Sequence, residues 1–493
     1  MTQAQINIQH PDRFYIGGQW VKPSSNGTFN VLNASTEDVV ATIAEAQTAD
    51  MEQAVQAARQ AFDHGPWPRL SHAERAFYMR AIAKAFADRN DEFARIWATE
   101  SGILYKLAYP RIGAYLNGAF SYYAGLASTF PFTEGHRAAS GHQGYIVREP
   151  VGVVAAIIPW NGPAALLAYK VAPALLAGCT VVVKSSPEAP CSAYLFAEIC
   201  AQVGLPDGVV NIITAGREVS AHMVDHPGVD KVTFTGSTVA GKQIAAACGA
   251  RIARVTLELG GKSPAIILDD YDIETAAKAL ACGYFGNLSG QVCHSLTRII
   301  VPDSKHDAMV EALAAQARPM KTGDAFDPAS DVGPLATARQ RDTVQRYVET
   351  GIKEGARLAC GGQRPAHLHR GFFFEPTVFA NVDPRATIAR EEIFGPVLSV
   401  IRARDEQHAI EIANDTPFGL NASVFTQDEK RFLDVSRQIR AGTVGHNGPR
   451  TDFTITFGGF KQSGIGREGG IDGLHPFLEA KTIVVDKAFQ PET

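Results

Sequence analysis

The chain lacks any paired-cysteine pattern. Its seven cysteines, at 179, 191, 200, 248, 282, 293 and 360, are odd in number and form no CxxC pair. At 493 residues it can bury a core without staples, so a disulfide framework is excluded. HExxH and zinc-type Cys/His spacings are missing too. The short His367-Leu368-His369 lies between Pro365 and Gly371 and reads as a solvated loop, so no metal site is expected. Basic charge is not in excess. With a formal net charge of −5 and no basic stripe or arginine-rich arm, nucleic acid and membrane surfaces are poor partners. The apolar run VGVVAAIIP (151–159) is far too short to span a bilayer. The first residues, MTQAQINIQHPDRFYIGG, lack the charged and apolar regions of a secretory signal, and a cytoplasmic location is the expectation.

What is present is an ordinary globular composition, 45% hydrophobic and 20% charged, on a chain long enough for roughly two or three domains. Residues 51–63 and 73–98 show helical spacing, separated by Pro66 and Pro68. From about 150 the pattern changes. Short apolar β-branched runs (151–158, 180–184, 209–214, 231–235) alternate with helical stretches (164–177, 190–203, 238–248). The alternation resumes after Pro264 with 265–268, 298–302, 396–403 and 422–426, and helices over 272–284 and 305–317. Such alternation predicts an α/β fold with parallel sheets in two domains. Segments 141–150 and 481–486 read as edge strands suited to pairing with another subunit.

Five stretches carry chemistry. In FTGSTVAGKQIAAA (234–247) a strand turns through Gly236-Ser237 into a helix whose free amides suit a phosphate, or simply a capped turn. Lys184 follows an apolar strand, at the end where open α/β sheets bind ligands; the alternative is a solvated lysine. Glu258, between leucines in VTLELGGKSP, is set to be desolvated, as a general base or a satisfied structural carboxylate. Asn161 in IIPWNGPAAL offers an amide to an oxyanion, and also suits a helix N-cap. Cys293 in FGNLSGQVCHSLTR is left as turn filler or nucleophile.

Taken together and in order, PWN, FTGS, LELGGK, GQVC, EEIFGP and FGGFKQSGIGRE resemble the aldehyde dehydrogenase superfamily, from about residue 13 to about 486. The resemblance implies a hydrolytic, NAD(P)-dependent enzyme acting on a small-molecule aldehyde, as a homodimer or homotetramer. It implies a Rossmann-type dinucleotide-binding domain (1–126 and 147–262), an α/β catalytic domain (263–470) and a small β oligomerisation element (127–146 and 471–493). Carried over by motif, Cys293 is the nucleophile, Glu258 the general base and Asn161 the oxyanion donor. Lys184, Trp160, Gly236, Ser237, Glu392 and Phe394 hold the cofactor. The mechanism so implied runs from a thiohemiacetal on Cys293 to a thioester, which water activated by Glu258 hydrolyses.

Two departures stand out. The family commonly reads Lys-Pro-x-Glu where this chain has Lys184-Ser185-Ser186-Pro187, with Glu188 one position late. Loss of a ribose-holding carboxylate would leave NADP admissible beside NAD. His294 directly follows the nucleophile and either raises thiolate content as a cation or lines the pocket; lining is the favoured reading. The substrate wall is expected from Gly162, Ala165, Tyr169, His294, Phe453 and Phe457, suited to a medium or large apolar or aromatic aldehyde. The alternative is a semialdehyde whose distal carboxylate Arg450 reads; a catalytically silent family member is the reading from another class.

Overall fold

The computed structural model describes residues 6–139 and 141–486; residues 1–5, 140 and 487–493, including the ends of the N-terminal stretch and of the 471–493 element, lie outside the described residues. Two large sheets dominate. The first has eight strands in the order Gly464–Ile465, Arg254–Glu258, Lys231–Thr235, Val153–Ile157, Thr180–Ser185, Val210–Thr214, Phe14–Ile16, Gln19–Val21. The five from Arg254–Glu258 to Val210–Thr214 are parallel. Their Val, Ile, Ala and Phe side chains are buried on both faces, as parallel strands covered by helices must be. Chain order runs one way from Val153–Ile157 through Thr180–Ser185 to Val210–Thr214. It then returns to the other side of Val153–Ile157 for Lys231–Thr235. The reversal creates a crevice at the carboxyl ends of Val153–Ile157 and Lys231–Thr235, where open α/β sheets take ligands.

The second sheet has seven strands, ordered Arg357–Cys360, Thr377–Ala380, Val397–Ala403, Leu296–Pro302, Ser263–Ile267, Asn421–Phe425, Thr443–His446. All are parallel except the first. The chain leaves the first sheet at Glu258 and enters the second at Ser263, so Leu259–Lys262 links those two strands directly. The carboxyl ends of the first sheet therefore meet the amino ends of the second. A third sheet pairs Gln143–Pro150 with Leu478–Val485 on one side and Thr133–Arg137 on the other.

Two expectations need correction, and one helix goes unanticipated. The stretch 73–98 is two helices, His72–Asp88 and Asn90–Ser101, because Arg89 leaves helical geometry (φ −108, ψ 19) and binds Glu92 and Glu198. Segment 141–150 is not an edge: both its sides are occupied within the chain, so the free edges belong to Leu478–Val485 and Thr133–Arg137. Helix Tyr105–Leu126 had no clear signal, since Pro110 and three glycines interrupt its pattern. The hairpin Thr28–Leu32 and Val39–Ala44 forms a separate two-stranded sheet. Its turn reaches the second sheet's side, where Phe372 donates to the Ala34 carbonyl at 3.0 Å.

Candidate active site

The crevice between the sheets is a cavity of about 280 Å³ lined by Trp160, Asn161, Gly236, Ser237, Cys293 and Glu392, among others. Each arrives there for a local reason. Trp160 and Asn161 follow strand Val153–Ile157, and their carbonyls are pinned by Ser101 Oγ (2.6 Å) and Trp97 Nε1 (2.8 Å) respectively. The N-cap of helix Pro163–Ala177 is Gly162, with Pro163 at the first helical position, so Asn161 does not cap it. Its side chain instead donates from Nδ2 to the Gln291 carbonyl at 3.0 Å. A primary amide has two N–H groups, and this bond leaves one for the cleft.

The segment before Cys293 is held under strain. Leu288, Ser289 and Gly290 all have φ between 53° and 75°, the left-handed region that non-glycine residues avoid. Fully buried Gln291 locks the turn, donating to Leu288 O (2.9 Å) and accepting from Ala336 N (2.9 Å), while Ser289 Oγ donates to Gly333 O (2.7 Å). Cys293 then sits just before strand Leu296–Pro302 at the cleft. Burial, then the Glu392 and Glu258 carboxylates, push its thiol well above the usual range; the His294 and Cys293 amides offset part of this.

Glu258 is 3% exposed, and both its oxygens are buried with no partner among the described residues. Burial, then the Glu468 carboxylate, raise it well above the usual carboxyl range, against the pull of Lys170 and Arg467. Sequence reasoning missed that partner pair. Lys170 is the one charged side chain in the otherwise apolar helix Pro163–Ala177; it is fully buried, ion-paired to Glu468, and donates to Thr235 Oγ1 at 2.7 Å. A lone lysine in such a helix is the signal that could have found it.

Glu392 Oε1 accepts from the Gly261 N–H at 3.1 Å. Burial lifts its carboxyl to about 7, with Gly261 and Lys262 pulling the other way. Phe394, at φ 57°, is held by Gln340 Nε2 on its carbonyl (2.8 Å) and meets Trp160 edge-on at 5.4 Å. Ser237 caps helix Thr238–Ala250 by accepting from Ala240 N (3.3 Å).

A second cavity, about 660 Å³, lies on the other side of this helix start and is lined by Lys184, Glu188, Gly216, Arg217, Phe234 and Arg339. Burial pulls the Lys184 ammonium down to about 8, the Glu188 charge opposing. The expectation of a missing carboxylate is corrected here. Although Glu188 comes late in sequence, its side chain enters this cavity, bonded to Ser186 Oγ and to Arg339 Nη2 (2.9 Å). Burial opposes ionisation, but those bonds hold its carboxyl below the usual range. Two cavities flanking a helix N-terminus, one with a buried cation and carboxylate, suit a dinucleotide.

Toward the other side of Cys293 runs an aromatic wall. Tyr169 stacks on Phe453 (4.2 Å, 23°), Phe453 lies 4.6 Å from Phe457, and Phe457 meets the His294 ring at 5.8 Å and 79°. His294 Nδ1 is 3.9 Å from Cys293 Sγ, and burial pulls its imidazole down to about 4. Gly162 and Ala165, at the start of helix Pro163–Ala177, are half-buried and belong to neither cavity lining. Arg450 is exposed, its guanidinium 3.5 Å from the His446 carbonyl in its own loop.

The model of the aldehyde dehydrogenase family matches residues 20–483. Geranial dehydrogenase of Castellaniella defragrans is 44% identical over 97% of this chain and 99% of its own. A Mycobacterium tuberculosis aldehyde dehydrogenase crystallised with NAD+ superposes with a TM-score of 0.95 at 42% identity, covering 98% of this chain and 100% of that one. Aldehyde dehydrogenase C of Pseudomonas syringae, a cysteine-to-alanine mutant with NAD+ and octanal, superposes with a TM-score of 0.94 at 38% identity, covering 98% and 99%.

Proposed function

Since this chain belongs to the aldehyde dehydrogenase family and oxidises aldehydes to acids with NAD(P), we propose that it does so through Cys293 on medium or large apolar aldehydes. The observation that carries the site assignment is the meeting of Asn161, Cys293 and Glu392 in one cleft, with the Glu258 carboxylate close enough to act on the thiol.

The chemistry follows from the side chains. Burial favours the protonated form of the Cys293 thiol, so attack on the aldehyde carbon requires the proton to leave; Glu258, whose oxygens have no partner among the described residues, is the acceptor when ionised. The new oxyanion takes the free N–H of Asn161 and the Cys293 amide, each such donor lowering the barrier by roughly 3–4 kcal/mol. Lys184 and Glu188 at one end and Glu392 and Phe394 at the other would hold NAD, which when bound would supply the hydride acceptor. Trp160, Gly236 and Ser237 border the stretch between. Once Glu258 has released the thiol proton to solvent, it takes a proton from the water that hydrolyses the Cys293 thioester and returns it to the departing Cys293 thiolate; the Lys170–Glu468 pair behind it tunes its charge.

The aromatic wall of Tyr169, Phe453, Phe457 and neutral His294 supports an apolar aldehyde. So do relatives named for geranial and crystallised with octanal. The exposed Arg450 gives a semialdehyde carboxylate no buried partner. In a series from butanal to octanal, each methylene buried on the wall is expected to raise kcat/KM by up to about fourfold. A flat series refutes the apolar reading. Cys293→Ala is expected to abolish NADH formation while NAD binding by fluorescence titration persists; normal turnover by that variant refutes the site. We assign a cytoplasmic homodimer or homotetramer on the free edge of Leu478–Val485, where Ile483 and Val484 are exposed. A monomer by light scattering refutes the oligomer.

A further inference from the structure

Three side chains beside the catalytic loop have buried polar atoms with no partner among the described residues: Lys262 Nζ, Ser263 Oγ and Asn421 Oδ1. Their residues are 2%, 2% and 1% exposed and line one small cavity of about 10 Å³, close to the space that one water requires. Buried polar groups rarely go without a hydrogen bond, and three of them around a space of this size suit one bridging water. The same Asn421 side chain uses its other end on the nucleophile's segment, donating from Nδ2 to the His294 carbonyl at 2.9 Å. Lys262 is fixed on the opposite side, its carbonyl accepting from the fully enclosed Arg298 Nε at 2.8 Å. Immediately before it, Gly261 holds Glu392.

We propose that Asn421 is a positioning residue for Cys293: it ties the peptide after the nucleophile, through a bridged contact, to the Gly260–Lys262 link that carries the Glu392 hydrogen bond. The cofactor-side carboxylate and the thiol are thereby held as one unit. Nothing in the mechanism above uses Asn421, and its strand is otherwise ordinary buried sheet. Packing alone would not explain a polar side chain here, since an apolar residue of the same volume would fill the site without leaving polar atoms to satisfy. The inference rests on Cys293 being the nucleophile.

The test compares Asn421→Ala and Asn421→Leu with the unaltered full chain. Leu keeps the volume and removes both hydrogen bonds. For both variants the single-turnover NADH burst is expected to fall about tenfold, the worth of one buried hydrogen bond, with KM for NAD within twofold of wild type. Iodoacetamide modification of Cys293, followed peptide by peptide in a mass spectrometer, is expected to slow by a similar factor. A burst and an alkylation rate within twofold of wild type in Asn421→Leu would leave only a packing role and overturn the proposal. If no aldehyde yields NADH even with the unaltered chain, the functional reading has failed, and the alkylation rates still decide whether Asn421 positions Cys293.

Discussion

Replacing Lys170 with methionine tests the buried charge system behind Glu258. Lys170 is fully buried and Glu468 is 3% exposed, so the substitution strands a carboxylate without its ion-pair partner, leaving the field of buried Lys231 as its countercharge. What remains within hydrogen-bond reach is the Thr233 hydroxyl, 3.4 Å from Glu468 Oε1. Breaking one side of such a pair costs about 3–5 kcal/mol, while replacing both members by neutral groups is close to neutral. Lys170→Met is therefore expected to lower unfolding stability by about 3–5 kcal/mol, and Lys170→Met/Glu468→Gln to recover most of it. Denaturant midpoints followed by tryptophan fluorescence measure both. The kinetics carry a second readout. Lys170 opposes the burial-driven rise of the Glu258 pKa, and water activation as proposed above needs the Glu258 carboxylate. Without Lys170 the rising limb of steady-state turnover against pH should move to higher pH. A single variant within about 1 kcal/mol of wild type, or a double variant less stable than the single, refutes the pair's energetics. Superposable pH profiles refute its coupling to Glu258.

Glu100 is 1% exposed, and burial, only partly offset by its bonds from Cys191, raises its carboxyl from 4.5 to about 8. The folded chain thus keeps a proton that the unfolded chain has lost; this contribution is full below pH 4.5 and disappears as pH rises to about 8. Glu100→Gln is expected to match wild type below pH 4.5 and exceed it by roughly 3–5 kcal/mol at pH 8, read from denaturation at both pH values. Glu188→Ala removes the carboxylate from the 660 Å³ cavity and frees the Arg339 guanidinium. The ratio of kcat/KM for NADP over NAD should rise about tenfold, a change that Arg339→Ala added to it reverses; an unchanged ratio refutes the role. His294→Leu should shift aldehyde preference in the chain-length series yet leave the pH dependence of Cys293 alkylation in place, because the imidazole is already uncharged; a moved alkylation profile refutes that reading.

Most of the parallel strands between Val153 and Phe425 were legible because they read as short Val/Ile runs with Gly or Pro at their ends, whereas Arg254–Glu258, Thr377–Ala380 and helix Ala338–Lys353, more polar or shorter, were not. Helix Tyr105–Leu126 was not, since glycines and Pro110 blur a pattern that tertiary packing rescues: Leu116, Phe120 and Tyr123 are buried. The strand pairing of 141–150 was invisible for another reason. Its partner, Leu478–Val485, lies more than three hundred residues away, and alternation along one strand cannot say who covers its edge. In the cleft, motif order led to Asn161, Glu258, Cys293 and Glu392, but not to Gln291, Lys170, Glu468 or Asn421. Those four act by hydrogen bonds and charge across the fold, contacts that sequence spacing does not record. Glu188 shows the converse. A carboxylate shifted by one residue still reaches the same cavity, because a loop after a strand can redirect a side chain that a fixed register cannot.

The Gly260-Gly261 pair explains why these parts come together in this chain. The link between the two sheets passes between the Glu392 carboxylate and the Cys293 peptide. A Cβ on Gly260 would lie 2.3 Å from Glu392 Oε2, and one on Gly261 would lie 2.4 Å from the Cys293 carbonyl. No side chain fits either place, because one neighbour is held by the backbone amide of Gly261 itself and the other is main chain. The Glu392 carboxylate and the Cys293 carbonyl thus lie against one bare stretch of main chain that continues the strand carrying Glu258. A shift of that stretch would move the Gly261 amide against Glu392 and its packing against Cys293 together. The geometry of the proposed site is therefore set where the two sheets join, Glu392 by a hydrogen bond to that stretch and Cys293 by close packing against it.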